Sequence, residues 1–297
     1  MASLHGLLVI DKPGGLTSRE MVNRVQGWLP PRTRIGHTGT LDPLATGVLV
    51  VCIGTATRLT EYVQRMDKVY EVRIHLGARS DTDDADGTIQ ECEHPGAPPD
   101  GAAVADCLQH FVGEIEQVPP NYSAARVSGR RAYDLARRGR EVDLQPRLVR
   151  IYAIDLLAYA YPELNLRVRC GKGTYIRSLA RDFGDRLGCR AYVAALRRTR
   201  VGSFAAADAL SLDIDAATAV GRLIPPEAAV AELPRLTLDD ADLVRLAQGQ
   251  AVPCKQALDR IERACEIAVF DKAHRLRAIA IQGEEGLLLP AKVLMSK

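Results

Sequence analysis

Apolar positions along this chain follow two periods. Residues 6–10 (GLLVI) and 47–54 (GVLVVCIG) are continuous apolar runs too short for helices, and they read as buried strands. Between them Met21, Val22, Val25, Trp28 and Leu29 recur at helical spacing behind a cap expected at Ser18. A short helix is predicted near 57–65. In 69–77 the period becomes two: Tyr70, Val72, Ile74 and Leu76 alternate with Val69, Glu71, Arg73 and His75, as in a half-buried strand. Residues 88–92 are expected to pair with it across the acidic turn at 81–87. A helix follows over 101–112, then strands over 148–159 and 164–170. Thr174 is expected to cap a helix whose core side carries Ile176, Leu179, Ala180, Phe183 and Leu187, and a strand follows over 191–196. Residues 117–147 form a polar, basic excursion opened by two prolines, with one short helix predicted near 131–138. After about residue 230 a short helix (239–247) precedes strand-like runs at 266–270, 276–281 and 286–289. The pattern is α+β: a mixed, mainly antiparallel sheet flanked by helices over 1–230, then a small β-rich module over 231–297. No internal repeat is visible.

The chain has 297 residues, 47% of them hydrophobic and 26% charged, with a net charge of +2. That length suits about two domains, and the composition excludes disorder as the main state. No apolar run reaches the ~18 residues of a membrane span, and MASLHGLLVIDK lacks the basic start of a signal peptide. Seven scattered cysteines without a CxxC pair point to reduced thiols and a cytoplasmic protein.

The small net charge hides strong blocks. Residues 12–80 carry ten Lys/Arg against five Asp/Glu, whereas 81–116 carry ten acids and no Lys or Arg. Residues 119–150 hold eight bases and three acids, 167–200 ten and two, and 203–242 two and eight. Of the 39 basic residues 32 are Arg. Guanidinium forks match phosphates and stack on bases, so these blocks fit a structured nucleic-acid partner. A GC-rich genome with ordinary solvated faces would give the same count.

Generic catalytic motifs are missing. There is no GxxxxGK[ST] loop, GxGxxG or GxSxG, and the six His (His5, His37, His75, His94, His110, His274) lack partners at metal-ligand spacing. An enzyme with this sequence is expected to work without a nucleotide, metal or redox cofactor. One segment stands apart: GHTGTLDPLATGVL, residues 36–49, sets Asp42 among three glycines immediately before a buried strand. Glycines admit close approach of a ligand, and Pro43 holds Asp42 extended. Asp42 is therefore either a catalytic carboxylate or the acid of an Asx-type turn.

GHTGTLDPLATGVL resembles the catalytic motif of the TruB-type tRNA pseudouridine-55 synthases. In the same order, DKPGGLTS (11–18), KVYEVRIHLGARSDTDDADG (68–87), CGKGTYIRSLARDFG (170–184) and LRRTRVGSF (196–204) resemble the other motifs of that family. VPPNYSAARVSGRRAYDLARRG (118–139) resembles its RNA-gripping thumb. The resemblance covers residues 4–225, and the module after 230 resembles, more weakly, the family's PUA-type RNA-binding domain. It implies isomerisation of uridine to pseudouridine at position 55 of the tRNA T-loop, without a cofactor, on a base flipped out of its stack.

The resemblance also implies roles. Asp42 would be the essential acid, by covalent attack on a carbon or by deprotonating the ribose. Arg177 would hold it charged and oriented, since a neighbouring guanidinium favours a carboxylate that burial disfavours; a surface phosphate contact is the other reading. Tyr70 would stack on the target uracil and serve as base at C5; by pattern alone it is a core tyrosine. His37 would help hold the opened loop, or be a structural His. Asp84 would organise the site, although 81–86 also reads as a solvated turn. Leu196 would close the base pocket, with Arg197, Arg198 and Arg200 as phosphate contacts, and Lys12–Pro13 would pack near the catalytic loop. Tyr122, Arg126, Arg130, Arg131, Arg137 and Arg138 would grip RNA from the thumb, leaving the rest of 81–116 on the far face. The partner implied is the T-arm stem-loop of tRNA. No membrane and no obligatory protein partner are expected, and the protein is expected to act as a monomer. A non-catalytic tRNA-folding protein using the same clamp is the alternative. The C-terminal module would add grip rather than chemistry, so a chain ending near Ala229 is expected to keep turnover at saturating tRNA.

Overall fold

The computed structural model describes residues 4–92, 97–123, 126–127, 130–131, 143–254, 265–283 and 286–295. In chain order its strands are β1 (Gly6–Lys12), β2 (Ile35–His37), β3 (Thr46–Ile53), β4 (Lys68–Leu76), β5 (Ala78–Ser80), β6 (Ile89–Glu91), β7 (Gly113–Gln117), β8 (Arg126–Val127) and β9 (Arg130–Arg131). They continue with β10 (Arg147–Ala160), β11 (Glu163–Cys170), β12 (Ala191–Val201), β13 (Phe204–Ala205), β14 (Arg235–Thr237), β15 (Val252–Pro253), β16 (Glu266–Phe270), β17 (Leu276–Gln282) and β18 (Leu287–Val293). The helices are α1 (Ser18–Gln26), α2 (Thr60–Arg65), α3 (Gly101–Gln109), α4 (Ile176–Arg186), α5 (Ala216–Gly221) and α6 (Asp240–Ala247).

Nine strands make the main sheet, in the order β1-β3-β12-β4-β11-β10-β7, with β2 on β3 and β13 on β12. Its pairs are antiparallel except β12 with β3, where Arg197 and Arg198 lie opposite Thr46 and Gly47. That parallel junction brings the glycine-rich loop beside the LRRTRVG strand. Gly47 sits there at φ +98°, and a Cβ would lie 2.2 Å from the Arg198 carbonyl oxygen, so only glycine allows the approach. Tyr70, Val72, Ile74 and Leu76 of β4 face inward and pack with α3 and α4 in one apolar cluster.

Local expectations were redirected at four places. Strand β6 pairs with β5, not β4, because Gly77 turns the chain at φ +86° after Leu76. The cap of α1 is Thr17, whose hydroxyl accepts from Glu20 N while Glu20 Oε2 accepts from Thr17 N, a reciprocal capping box. Tyr175 occupies the cap position of α4 without a side-chain bond of its own, and Thr174 Oγ1 instead donates to Gly171 O at 3.1 Å. Arg131, expected to open a short helix, closes the β8–β9 pair; the rest of that expected helix, including Arg137 and Arg138, lies outside the described residues.

The second sheet has five strands, β14-β16-β17-β18-β15. One of its faces is not its own. Ala268, Phe270, Leu276, Ile279 and Leu294 share an apolar cluster with Leu7, Val9, Val50, Cys52, Leu59 and Tyr62 of the first domain. Polar ties flank it: Tyr62 Oη donates to Glu266 Oε1 at 2.8 Å, and Arg65–Glu266, Lys292–Glu61 and Arg58 with the Val293 carbonyl also pair. The C-terminal module therefore completes the core of the first domain, and a break near Ala229 would open that core to water. The expectation that a chain ending near Ala229 keeps turnover depends on the module leaving no apolar surface behind, and this packing removes that condition.

Candidate functional site

Asp42 lies in the loop between β2 and β3, and Arg177 in the first turn of α4. The guanidinium meets the carboxylate at two atoms: Nη2 donates to Oδ1 at 3.0 Å, and Nε stands 2.9 Å from Oδ2 in an ion-pair contact without hydrogen-bond geometry. The Arg177 side chain is 5% exposed and that of Asp42 32%, so the pair has one dry side and one side open to a ligand. The guanidinium has further partners. Nη1 donates to Thr82 O at 3.0 Å and lies 3.3 Å from Asp84 Oδ2, and Nη2 donates to Tyr122 O at 2.9 Å. Such a fork fixes orientation as well as charge.

The acidic run divides. Asp84 is buried, accepts from Thr82 Oγ1 at 2.6 Å and from Asp86 N at 3.1 Å, and burial pushes its carboxyl above the usual range. Asp83, at φ +60°, pairs with Arg181 at 2.9 Å. Asp86 Oδ2 accepts from Leu44 N at 3.2 Å, two residues beyond Asp42. Asp86 is thus tied to the loop that carries Asp42, where the sequence placed it on the far face.

Lys12 is fully buried. Its ammonium donates to the carbonyls of Pro13, Pro43 and Ala45 at 2.9, 3.1 and 2.6 Å, stapling the end of β1 to the segment after Asp42. Burial pulls its pKa down to about 8 against the attraction of Asp42 and Asp86. The expected packing of Lys12 near the loop is thus a set of hydrogen bonds to the loop itself.

A cavity of about 470 Å³ opens above the pair, lined by Asp42, Tyr70, Leu196, Arg198, Lys172 and Arg177 among others. Tyr70 is buried on its wall; burial pushes its phenol up, opposed by Arg198, so the ring faces the cavity as a neutral phenol. Leu196, opposite Val72 on β4, closes the apolar side. Arg198 is a correction. Only 3% exposed, it donates from Nε to Val48 O at 2.8 Å and from Nη2 to Gly39 O at 3.1 Å. A side chain held this way buttresses the glycine-rich loop from inside and is not an outer phosphate contact. Arg197 is half-exposed and forks onto Asp11 at 3.0 and 2.8 Å, so its charge is already matched. Arg200 pairs with Asp67 at 3.3 Å. His37 lies on β2 opposite Val51, next to cavity-lining Thr38 and outside the lining itself. Arg126 and Arg130 fall on the β8–β9 pair with Arg131.

Sequence reasoning missed two side chains. Ser18, expected as a helix cap, is buried against Leu41. Gln117 sits at the root of the thumb against Tyr175. A serine before an amphipathic helix and a glutamine before two prolines look like any others, and only the chain crossings give them partners. Among the described residues no cluster of three or more His, Cys, Asp or Glu is arranged to hold a metal.

Comparison with known proteins places this geometry. Residues 28–176 match the model of the TruB family pseudouridylate synthase N-terminal domain. Residues 177–219 match that of the tRNA pseudouridylate synthase B C-terminal domain. A tRNA pseudouridine synthase B of Dehalococcoides mccartyi is 43% identical over 99% of this chain and 97% of its own. One of Burkholderia mallei is 40% identical over 99% and 98%. Among solved structures, a chain of a Cbf5-Nop10-Gar1 complex superposes with a TM-score of 0.72 at 26% identity, covering 98% of this chain and 85% of that one. With both family models matched in sequence and relatives alike from end to end, this chain belongs to the TruB family of pseudouridylate synthases.

Proposed function

We propose that the chain isomerises uridine to pseudouridine in tRNA, at position 55 of the T-loop, within the cavity that holds Asp42. The observation that carries this reading is the forked Arg177–Asp42 pair on the floor of a cavity walled by Tyr70 and Leu196. In the reaction the N1–C1′ glycosidic bond breaks and a C5–C1′ bond forms. The C5 proton leaves and N1 gains one, so nothing is consumed. The base must leave its stack to enter, which costs a few kcal/mol that RNA contacts offset.

The residues divide the work. Asp42 acts as nucleophile or as base on the ribose; either course needs a carboxylate aimed at the sugar, and the Arg177 fork aims it. Tyr70 offers a ring for the uracil to stack on; as a neutral phenol it takes the C5 proton only by giving up its own. Leu196 shields the base from water. Arg147 and Lys172, which line the cavity, attract the phosphates of the T-arm, and the thumb arginines Arg126, Arg130 and Arg131 add positive charge of the same kind.

The test uses tRNA transcribed with [5-³H]uridine and no added cofactor. The expected result is release of tritium from one uridine per tRNA, with pseudouridine recovered at position 55. A chain that binds the tRNA and releases none would overturn the reading.

A further inference from the structure

The acid and its guanidinium come from distant elements, and each is held by a buried polar side chain with no role in the site expected from sequence. On the acid's side, Ser18 opens α1 and is 2% exposed. Its hydroxyl accepts from Leu41 N at 2.8 Å and donates to Leu41 O at 3.1 Å. Leu41 immediately precedes Asp42, in a segment without regular pairing. Lys12 grips the carbonyls after Asp42, Arg198 holds Gly39 O three residues before it, and Ser18 holds both backbone groups of the residue immediately before it. On the other side, Gln117 is 1% exposed at the end of β7. Its Oε1 accepts from Tyr175 N at 2.8 Å and its Nε2 donates to Tyr175 O at 3.0 Å. Tyr175 is the cap residue of α4, whose own side chain satisfies nothing at the helix start. Arg177 follows two residues later. Ser178 Oγ and Arg181 Nη2 then donate to Val118 O at 2.8 and 2.9 Å, seating the first turns of α4 on the same segment.

The two clamps have one form. Each is a neutral side chain that both donates to and accepts from the backbone of a single residue close to a functional group. We propose that Ser18 and Gln117 are positioning residues for the isomerisation, Ser18 setting the carboxylate of Asp42 and Gln117 the guanidinium of Arg177. The proposal rests on the reaction assigned above. A fork with two contacts at 2.9 and 3.0 Å tolerates little displacement of either backbone, and a misplacement of about 1 Å in a reacting group lowers turnover by about a hundredfold. Neither residue lines the cavity, so neither is expected to touch RNA.

The experiment compares wild type, Ser18→Ala, Gln117→Met and the double variant for tritium release, tRNA dissociation constant and melting temperature. Each single variant is expected to lower kcat by about tenfold to a hundredfold, with tRNA affinity changed less than about threefold. Because both act through one pair, the double variant should lose less than the product of the single losses. Unchanged kcat in a folded single variant, a parallel loss of affinity, or strictly multiplicative losses would overturn the proposal. Should either variant fail to fold, Gln117→Glu and Ser18→Thr decide. The glutamate substitution keeps the acceptor for Tyr175 N and loses the donor, and is expected to lower kcat by about threefold to tenfold, whereas the threonine substitution keeps the hydroxyl and should retain kcat within about threefold. Full activity of the first or complete loss in a folded form of the second would sink the idea. Failure of wild type to release tritium overturns the assigned reaction and this proposal with it, whereas an active wild type with the contrary variant results overturns the proposal alone.

Discussion

Arg177 reaches Asp42 with two nitrogens at 2.9 and 3.0 Å and, with a third, stands 3.3 Å from Asp84, so one buried guanidinium serves one half-buried and one buried acid. The inner acid has no second guanidinium among its described partners. Asp84 relies on Thr82, Asp86 N and Arg177.

Removing the positive charge should therefore unsettle the fold as well as the chemistry. Arg177→Met leaves Asp84 buried without its cation and is expected to cost ~3–5 kcal/mol in urea unfolding. Arg177→Lys keeps the charge and loses the fork; it should fold better than the Met variant but turn over at least about a hundredfold more slowly than wild type. A lysine variant with wild-type kcat would show that orientation is not what Arg177 supplies.

Asp42→Asn should abolish turnover while tRNA affinity stays within about tenfold, roughly 1.4 kcal/mol. The amide keeps the shape and loses the reactive oxygen. Filter binding and single-turnover tritium release check the two halves separately. Pseudouridine formation by this variant at a rate near wild type would remove Asp42 from the chemistry.

Lys68 lies against the cavity, where its ammonium donates to Gln64 O and Met66 O, and burial together with the nearby Arg198 brings its pKa down to about 8. A lysine whose folded pKa lies below its unfolded value holds fewer protons folded than unfolded between about pH 8 and 10.5. Its contribution to stability therefore rises with pH across that window and is flat below it. The difference in unfolding free energy between wild type and Lys68→Met, measured from pH 7 to about 10, should rise accordingly. A difference that falls or stays level would contradict the burial of the charge.

The shared core makes a prediction about the C-terminal sheet. Ile279→Ala empties a fully buried site in the cluster that joins the two sheets, and should cost ~2–5 kcal/mol by thermal or urea unfolding. Well below the melting temperature its kcat should equal that of wild type, because none of the cavity-lining residues belongs to this cluster. A chain ending near Ala229 is expected to aggregate or melt early, which light scattering would detect; a stable, monodisperse truncation would show that the cluster closes without β16–β18.

The local pattern of this chain settled most of its elements. Alternation at Tyr70, Val72, Ile74 and Leu76 marked a strand with one buried face, and the spacing of Ile176, Leu179, Ala180 and Phe183 marked a helix, because burial selects side chains by the period of the backbone itself. GHTGTLDPLATGVL made Asp42 a candidate as a glycine-rich loop before a buried strand, and it was the resemblance to a family motif, not that pattern, that set a reactive acid above an Asx-type turn. What no local pattern contains is which distant group each polar side chain will meet. Arg197 and Arg198 are neighbours of the same type in one strand, yet one forks onto Asp11 at the surface and the other supports the Gly39 and Val48 carbonyls inside. Alternation put them on opposite faces of β12, and only the packing of β3 beside that strand made one face an interior. Ser18 and Gln117 acquired their partners in the same way, through crossings of chain 23 and 58 residues apart. Hydrophobic periodicity is a property of each segment, whereas a hydrogen bond between segments exists only once the sheet has brought them within about 3 Å of each other.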